Sequence, residues 1–198
     1  MNDPATTPLH EAGDEPEVVV VRSAVFVSVQ GAGAPAAPEW HRKKKLVTDI
    51  SRQLAATGLA PAGVQAEHMY YWYPDDSAAT NIADFYSVNP LTDLHYRALA
   101  QIDAAATLED VARARELAAS GFDRGDEVDI FTIPAQLVVQ VMHHGPFSTE
   151  LETLARMGAV AASHGVARSG PHQEIHLDPF TIDTPQDTLR TIIRDPVA

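Results

Sequence analysis

The chain has 198 residues, no cysteine, a hydrophobic fraction of 45% and a formal net charge of -13 at pH 7. The missing cysteines exclude a disulfide framework, a thiolate zinc site and a cysteine nucleophile, and the acidic balance argues against a direct nucleic-acid partner, whose phosphates need a basic footprint. No apolar run reaches the length of a membrane span and the N-terminus lacks the basic-then-apolar pattern of a signal peptide, so a cytoplasmic protein without a membrane partner is expected.

Residues 1–16 are polar and acidic and contain three prolines without periodicity, which predicts a disordered tail followed by one domain over 17–198. Val18–Val21 and Ala24–Val29 have the valine-rich composition of one long or bent strand. A glycine- and proline-containing break follows at Gly31–Pro35. Between Pro38 and Thr57 the period changes, and Leu46, Val47, Ile50 and Leu54 fall on one helical stripe with Trp40 near its start. Pro38 suits a first helical turn and Gly58 the position just past the end. The basic cluster His41–Lys45 on this helix reads as a solvated face. Gly63–Tyr73 is an aromatic strand closed by Pro74. Residues 75–90 have no period and read as a long loop, a kind that often serves as a functional lid. Leu94–Ile102 is a further strand, and Thr107–Ala119 a helix opened by a Thr107–Asp110 capping pattern. Asp129–His143 is strand-like up to Gly145-Pro146. Thr149 and Glu152 form a capping box for a helix whose stripe is Leu151, Leu154, Ala155 and Ala161. Pro171–Pro179 and Thr188–Arg194 close the chain as strands.

In this order the elements repeat. A β-α-β-β unit over about 17–103 recurs over about 127–197, with the helix after Asp103 as the link. Two such units predict an α+β fold, a duplicated β-α-β-β module in which one antiparallel sheet carries helices on one face and a central ligand groove on the other.

The strand Pro171–Pro179 sets His172, Glu174 and His176 on one face and Ile175 and Leu177 on the other, the apolar face being the one a helix would cover. Matching the halves at Pro74 and Pro179 puts Glu67, Met69, Tyr71 and Tyr73 on the face of Glu174. The expected groove therefore holds two carboxylates, Glu67 and Glu174, among aromatic rings. Rings supply area and a carboxylate supplies charge complementarity, which suits a ligand that is flat or apolar, including a cation. A metal site from His172, Glu174, His176 and His143 or His144 is disfavoured, because alternate residues of a flat strand step by about 7 Å. No metal and no cofactor is expected.

Three stretches carry a resemblance to a known family. They are Gln140-Val141-Met142-His143-His144-Gly145-Pro146-Phe147, then His172-Gln173-Glu174-Ile175-His176-Leu177-Asp178-Pro179, and then Leu189 to Val197. In order and spacing they resemble the GyrI-like small-molecule-binding domain family. That resemblance implies paired β-α-β-β modules around a central groove. Its members include effector domains of multidrug-sensing regulators, stand-alone binding proteins and gyrase inhibitors. One stand-alone branch hydrolyses the cyclopropane of DNA-alkylating natural products. That branch's Glu-Gly-Leu-Trp-Trp-like strand falls on Glu67-His68-Met69-Tyr70-Tyr71, and its Trp-x-Trp-like strand on Leu94-His95-Tyr96. The acid is kept, Trp becomes Tyr or Leu, and His176 stands where the family usually has Tyr.

The expected function is that of a stand-alone GyrI-like protein, since no helix-turn-helix segment adjoins the domain. It would bind a hydrophobic or aromatic drug-like molecule for sequestration or detoxification, with Glu67, Met69, Tyr71, Tyr96, Glu174 and His176 as ligand-binding residues. One alternative is a cyclopropane-opening hydrolase with Glu174 and Glu67 as catalytic residues and Tyr71 or Tyr96 donating to the developing oxyanion. Another is a gyrase-inhibitor-like interaction protein. A monomer and a homodimer are both compatible with the acidic surface.

Overall fold

In the computed structural model, residues 5–63, 66–118 and 125–198 are described. Two short strands come first, β1 (Thr6–Thr7) and β2 (Glu17–Val21). The first module follows: β3 (Ala24–Ala32), α1 (Pro38–Ala55), β4 (Glu67–Trp72) and β5 (His95–Ile102). Helix α2 (Leu108–Leu117) and strand β6 (Val128–Ile133) lead to the second: β7 (Gln136–His144), α3 (Glu150–Ser163), β8 (His172–His176) and β9 (Arg190–Pro196). The end of the expected second helix at Ala119, the aromatic strand's residues 64–65 and residues 1–4 of the expected tail lie outside the described residues.

The nine strands of the described residues form one sheet in the order β1-β2-β7-β9-β8-β4-β5-β3-β6. Each module contributes its strands with the last one in the middle, and the modules meet where β4 runs antiparallel to β8. All pairs are antiparallel except β1 with β2. The long valine-rich strand is bent, as expected. Its two parts, β2 and β3, pair with β7 and β6 in one continuous register, Val21 opposite Gln136 and Ala24 opposite Ile133. The break falls at Arg22-Ser23 on one side and at Pro134-Ala135 on the other. Pro134 has no N–H to give to a ladder, which is why a strand stops there.

The helical stripes pack as their spacing predicts. Trp40, Leu46, Val47, Ile50 and Leu54 of α1 and Leu154, Met157 and Ala161 of α3 are buried against Val27, Met69, Ala98, Val141 and Ile193 of the sheet. Each fully buried large aliphatic side chain contributes about 1.5–3 kcal/mol. Thr107 and Asp110 form the reciprocal capping box of α2. The Thr149–Glu152 box does not form. A turn of 3-10 helix over Phe147–Thr149 precedes α3, and the Thr149 hydroxyl donates back to the Pro146 carbonyl at 2.9 Å instead. The basic face of α1 is likewise not simply solvated. Lys44 is 3% exposed, with its ammonium 3.6 Å from the Phe180 ring centroid and 2.7 Å from a Glu67 oxygen.

Two placements differ from the sequence expectation and determine where a ligand can go. Both α1 and α3 lie on the face that carries Glu174, so the groove opens between the helices rather than behind the sheet. Residues 5–16, expected to be a disordered tail, cross the other face. There Ala12 packs with Ile175, Ile192 and Leu177, and the Met142 N–H donates to the Gly13 carbonyl at 2.7 Å. The physical reason is Arg194, 1% exposed on that face. Its guanidinium donates to Gln140 Oε1 at 2.6 Å and to the Leu9 carbonyl at 3.0 Å, a partner that only this segment supplies.

Gly31 sits opposite Tyr96 in the β3–β5 ladder, and a Cβ at Gly31 would lie 2.3 Å from Tyr96 Cζ. The ring fills the space that the missing side chain leaves. Gly31→Ala is expected to destabilise the fold by about 1–3 kcal/mol through overpacking, read as a lower urea midpoint at unchanged slope.

Candidate functional site

Period-two alternation on β8 sends His172, Glu174 and His176 to the helix-bearing face, and the packed helices make all three inaccessible, each 5% exposed or less. Above them, between the start of α1, the start of α3 and the segments after β4 and β8, is a cavity of about 430 Å³. That is the size of an ordinary small-molecule pocket. Its walls are Trp40, His41, Tyr86, Phe147 and Phe180, its base is Glu150, Glu174 and His176, and Leu91, Leu151 and Ile182 stand at its edge. These last three are 40%, 47% and 72% exposed, so an apolar lip surrounds an acidic base.

The base is tightly connected. The Tyr86 hydroxyl donates to Glu174 Oε1 at 2.5 Å, and His176 Nε2 lies 3.0 Å from Glu174 Oε2. Glu150, the first residue of α3, points into the same spot. Behind it His172 Nε2 lies 3.9 Å from Glu150 Oε1, while His172 Nδ1 is 3.0 Å from Asp195 Oδ2 on β9. Two carboxylates this close in a dry site cannot both ionise cheaply. Burial pushes the Glu150 carboxyl up, and the charge of Glu174 pushes it further. Burial acts on Glu174 in the same sense, but the hydrogen bond from His176, the charge of His172 and the Tyr86 hydroxyl overcome it and hold Glu174 below the ordinary glutamate range. Burial pulls His172 down; the Asp195 carboxylate, helped by Glu150, more than reverses this and takes it up to about 10. The donor atoms of Glu150, His172 and Glu174 lie within 4.8 Å of one another, close enough to touch one ion.

Of the residues singled out from the sequence, the structure brings Glu174 and His176 to the cavity. The other four lie elsewhere. Glu67 pairs with Lys44 and accepts from the Thr48 hydroxyl at 3.2 Å. Met69 and Tyr71 are wholly buried beneath the helices, and the Tyr71 hydroxyl accepts from Trp40 Nε1 at 2.9 Å, which orients the indole that lines the cavity. Tyr96 is spent on the Gly31 gap. The second carboxylate at the base is therefore Glu150 and not Glu67.

The residues that sequence reasoning missed are Trp40, Tyr86, Glu150, Phe147 and Phe180. Phe147 and Phe180 directly follow Pro146 and Pro179 of the motif stretches, a usable signal. Tyr86 comes from the loop 75–90, whose Ile82 and Phe85 are buried, so this loop forms a packed wall. Glu150 carried no signal, being one of two acids in the first turn of a helix.

No family model and no curated protein matches this chain. Solved structures do. An uncharacterized conserved protein from Listeria innocua superposes with a TM-score of 0.77 at 20% identity, covering 96% of this chain and 95% of that one. A hydrolase from Listeria innocua gives 0.73 at 19% identity, covering 96% and 94%. The C-terminal domain of EcmrR gives 0.59 at 13% identity, covering 93% and 97%. The chain shares their fold. At these identities the likeness is one of architecture, and it spans nearly the whole of each chain, both modules included. Among the described residues no helix is long and apolar enough to cross a membrane.

Proposed function

We propose that this protein binds a flat, hydrophobic small molecule in the cavity between α1 and α3, with a positive charge or a hydrogen-bond donor of that molecule directed at Glu174. The observation that carries this reading is a buried carboxyl, Glu174, accepting from Tyr86 at the base of an aromatic-walled cavity with an apolar lip. Rings of Trp40, Phe147 and Phe180 offer stacking and cation–π contact, and Glu174 offers charge. The GyrI-like motif stretches on β7, β8 and β9 support the same reading, and sequestration or detoxification of a drug-like compound is the role it suits. The test is a fluorescence titration with ethidium as a planar cation and Nile red as an uncharged planar probe. Micromolar quenching of Trp40, abolished in Trp40→Phe with Trp72 still present, is expected. Failure of both probes to quench or to raise the melting temperature would sink the reading.

A second reading, hydrolysis of a strained ring, is favoured by one observation, the buried carboxyls of Glu150 and Glu174 with oxygens within 4.8 Å of each other at the cavity base. Two carboxyls this close, with different proton affinities, can serve as acid and base at neutral pH. Water would add to the ring carbon and give its proton to Glu174. The ring bond would break, its electron pair would enter a conjugated carbonyl, and that oxygen would take the proton held by Glu150. Transfer of the new proton from Glu174 to Glu150 would restore the starting state. A structural neighbour described as a hydrolase has the same fold. Mass spectrometry of a cyclopropane-bearing, carbonyl-conjugated alkylating compound incubated with the protein decides the matter: gain of one water supports hydrolysis, and recovery of intact compound counts against it.

A further inference from the structure

We propose that Asp195 and His172 form a buried positioning dyad that supplies a fixed imidazolium behind the carboxyl pair, making Glu174 its ionised member. The inference deepens the binding reading and rests on it for the dyad's purpose, while the geometry behind it is independent of any ligand.

Both side chains of the dyad are 0% exposed, on adjacent parts of the sheet, and held at 3.0 Å. Asp195 takes Nδ1. Nε2 then faces Glu150 Oε1 at 3.9 Å, and among the described residues neither atom has a hydrogen-bond partner. Around this one ring stand three acids, Glu150 from α3, Glu174 from β8 and Asp195 from β9. Three buried negative charges without compensation would cost far more than the fold can supply. One imidazolium together with one retained proton leaves a single net negative charge, and Glu174 is the acid best solvated by donors, from Tyr86 and His176. The remaining groups facing the ring do not supply a charge. Tyr71 stacks at 6.3 Å from β4, Tyr86 and Phe85 pack at 5.3 and 4.7 Å from the loop after β4, and both phenols are pushed well above their ordinary range by burial. His176 is held down by burial and by Lys44. Lys44 itself is committed to Glu67.

Neither dyad residue lines the cavity, so each would act through Glu150 and Glu174 and not on a ligand. The readout must therefore report protonation directly. In the full, ligand-free chain labelled with 15N-histidine, the two ring nitrogens of His172, assigned by their loss in His172→Asn, are expected both to carry protons at pH 8. Asp195→Asn is expected to lower the His172 midpoint by at least about one pH unit, the size of effect a neighbouring charge has in a dry site. Should that variant not fold, Glu150→Gln gives the second measurement, a smaller shift in the same direction. A His172 neutral at pH 8 overturns the proposal, as does an Asp195→Asn midpoint equal to that of the wild type. An unprotonated Nε2 whose resonance moves on adding zinc would put a metal where the proton is assigned and also overturn it. An imidazolium found in a protein that binds neither ethidium nor Nile red would uphold the dyad and remove the binding reading.

Discussion

Glu174→Gln is expected to weaken ethidium binding roughly 10- to 100-fold, the equivalent of the about 1.5–3 kcal/mol that a hydrogen bond or contact to a charged group contributes in a water-poor site. The substitution conserves shape, so the walls of Trp40, Phe147 and Phe180 remain and the ring contacts persist. What changes is the sign of the base. Glu174 accepts from Tyr86 with one oxygen and approaches His176 with the other. Glutamine keeps one acceptor and turns the other into a donor, which the Tyr86 hydroxyl or the His176 tautomer can accommodate by rotation or proton exchange. Nile red, which carries no charge, should lose less than about threefold on the same argument. Calorimetric or fluorescence titration of both probes against both proteins, with thermal melts to verify folding, measures the contrast. Equal ethidium affinities in wild type and variant would show that Glu174 is not where the cation sits.

The second large effect is on stability against pH and belongs to Glu150. Its folded carboxyl is raised above the ordinary value of 4.5 by burial and then by Glu174. The unfolded chain therefore gives up this proton at a lower pH than the native one. The native state holds more protons over that interval, so stability falls as pH rises from 4.5 toward the raised value. His172 acts in the same sense higher up. Its folded value is raised from 6.5 to about 10, so its contribution is whole below 6.5 and is lost as pH rises through about 10. The buried His68 has the opposite sign, because burial lowers it and it destabilises the fold only in acid. Comparing wild type with Glu150→Gln between pH 7 and 8.5 avoids the acid-side imidazoles. Glutamine cannot ionise, so the variant should be the more stable protein at the upper end, by on the order of 2–4 kcal/mol, or roughly 5–10 °C in melting temperature for a chain of this size. The gap should narrow as pH falls toward 5. A variant that melts below wild type by the same margin at every pH would mean that Glu150 is ionised in the fold and serves only as a structural group.

Much of the architecture was legible in the sequence because it follows from local chemistry. The valine-rich stretches, the stripes of α1 and α3, the Thr107 cap and the recurrence of β-α-β-β all depend on neighbours within a few residues, and periodicity reports them. Glu174 and His176 were legible for the same reason, since strand alternation places them on one face together. The motif stretches on β7, β8 and β9 supplied the pairing of the modules by resemblance. Thr149 shows the limit of local signals, since a 3-10 turn satisfied its hydroxyl before the capping box could form.

What the sequence alone determined is an α+β duplication with an acidic, aromatic-rich strand pair at its centre. Only the tertiary structure decided which face the helices cover, and with it where the cavity opens, because both faces of β8 carry residues that a covering layer can satisfy. Packing α1 on the face of Glu67 gave that acid Lys44 as a partner and withdrew it from the site. Packing the start of α3 beside β8 brought Glu150 there instead, from a position whose spacing to Glu174 no local pattern encodes. Burial and a charge partner from the neighbouring strand β9, Asp195 behind His172, then set which of the two carboxyls is charged.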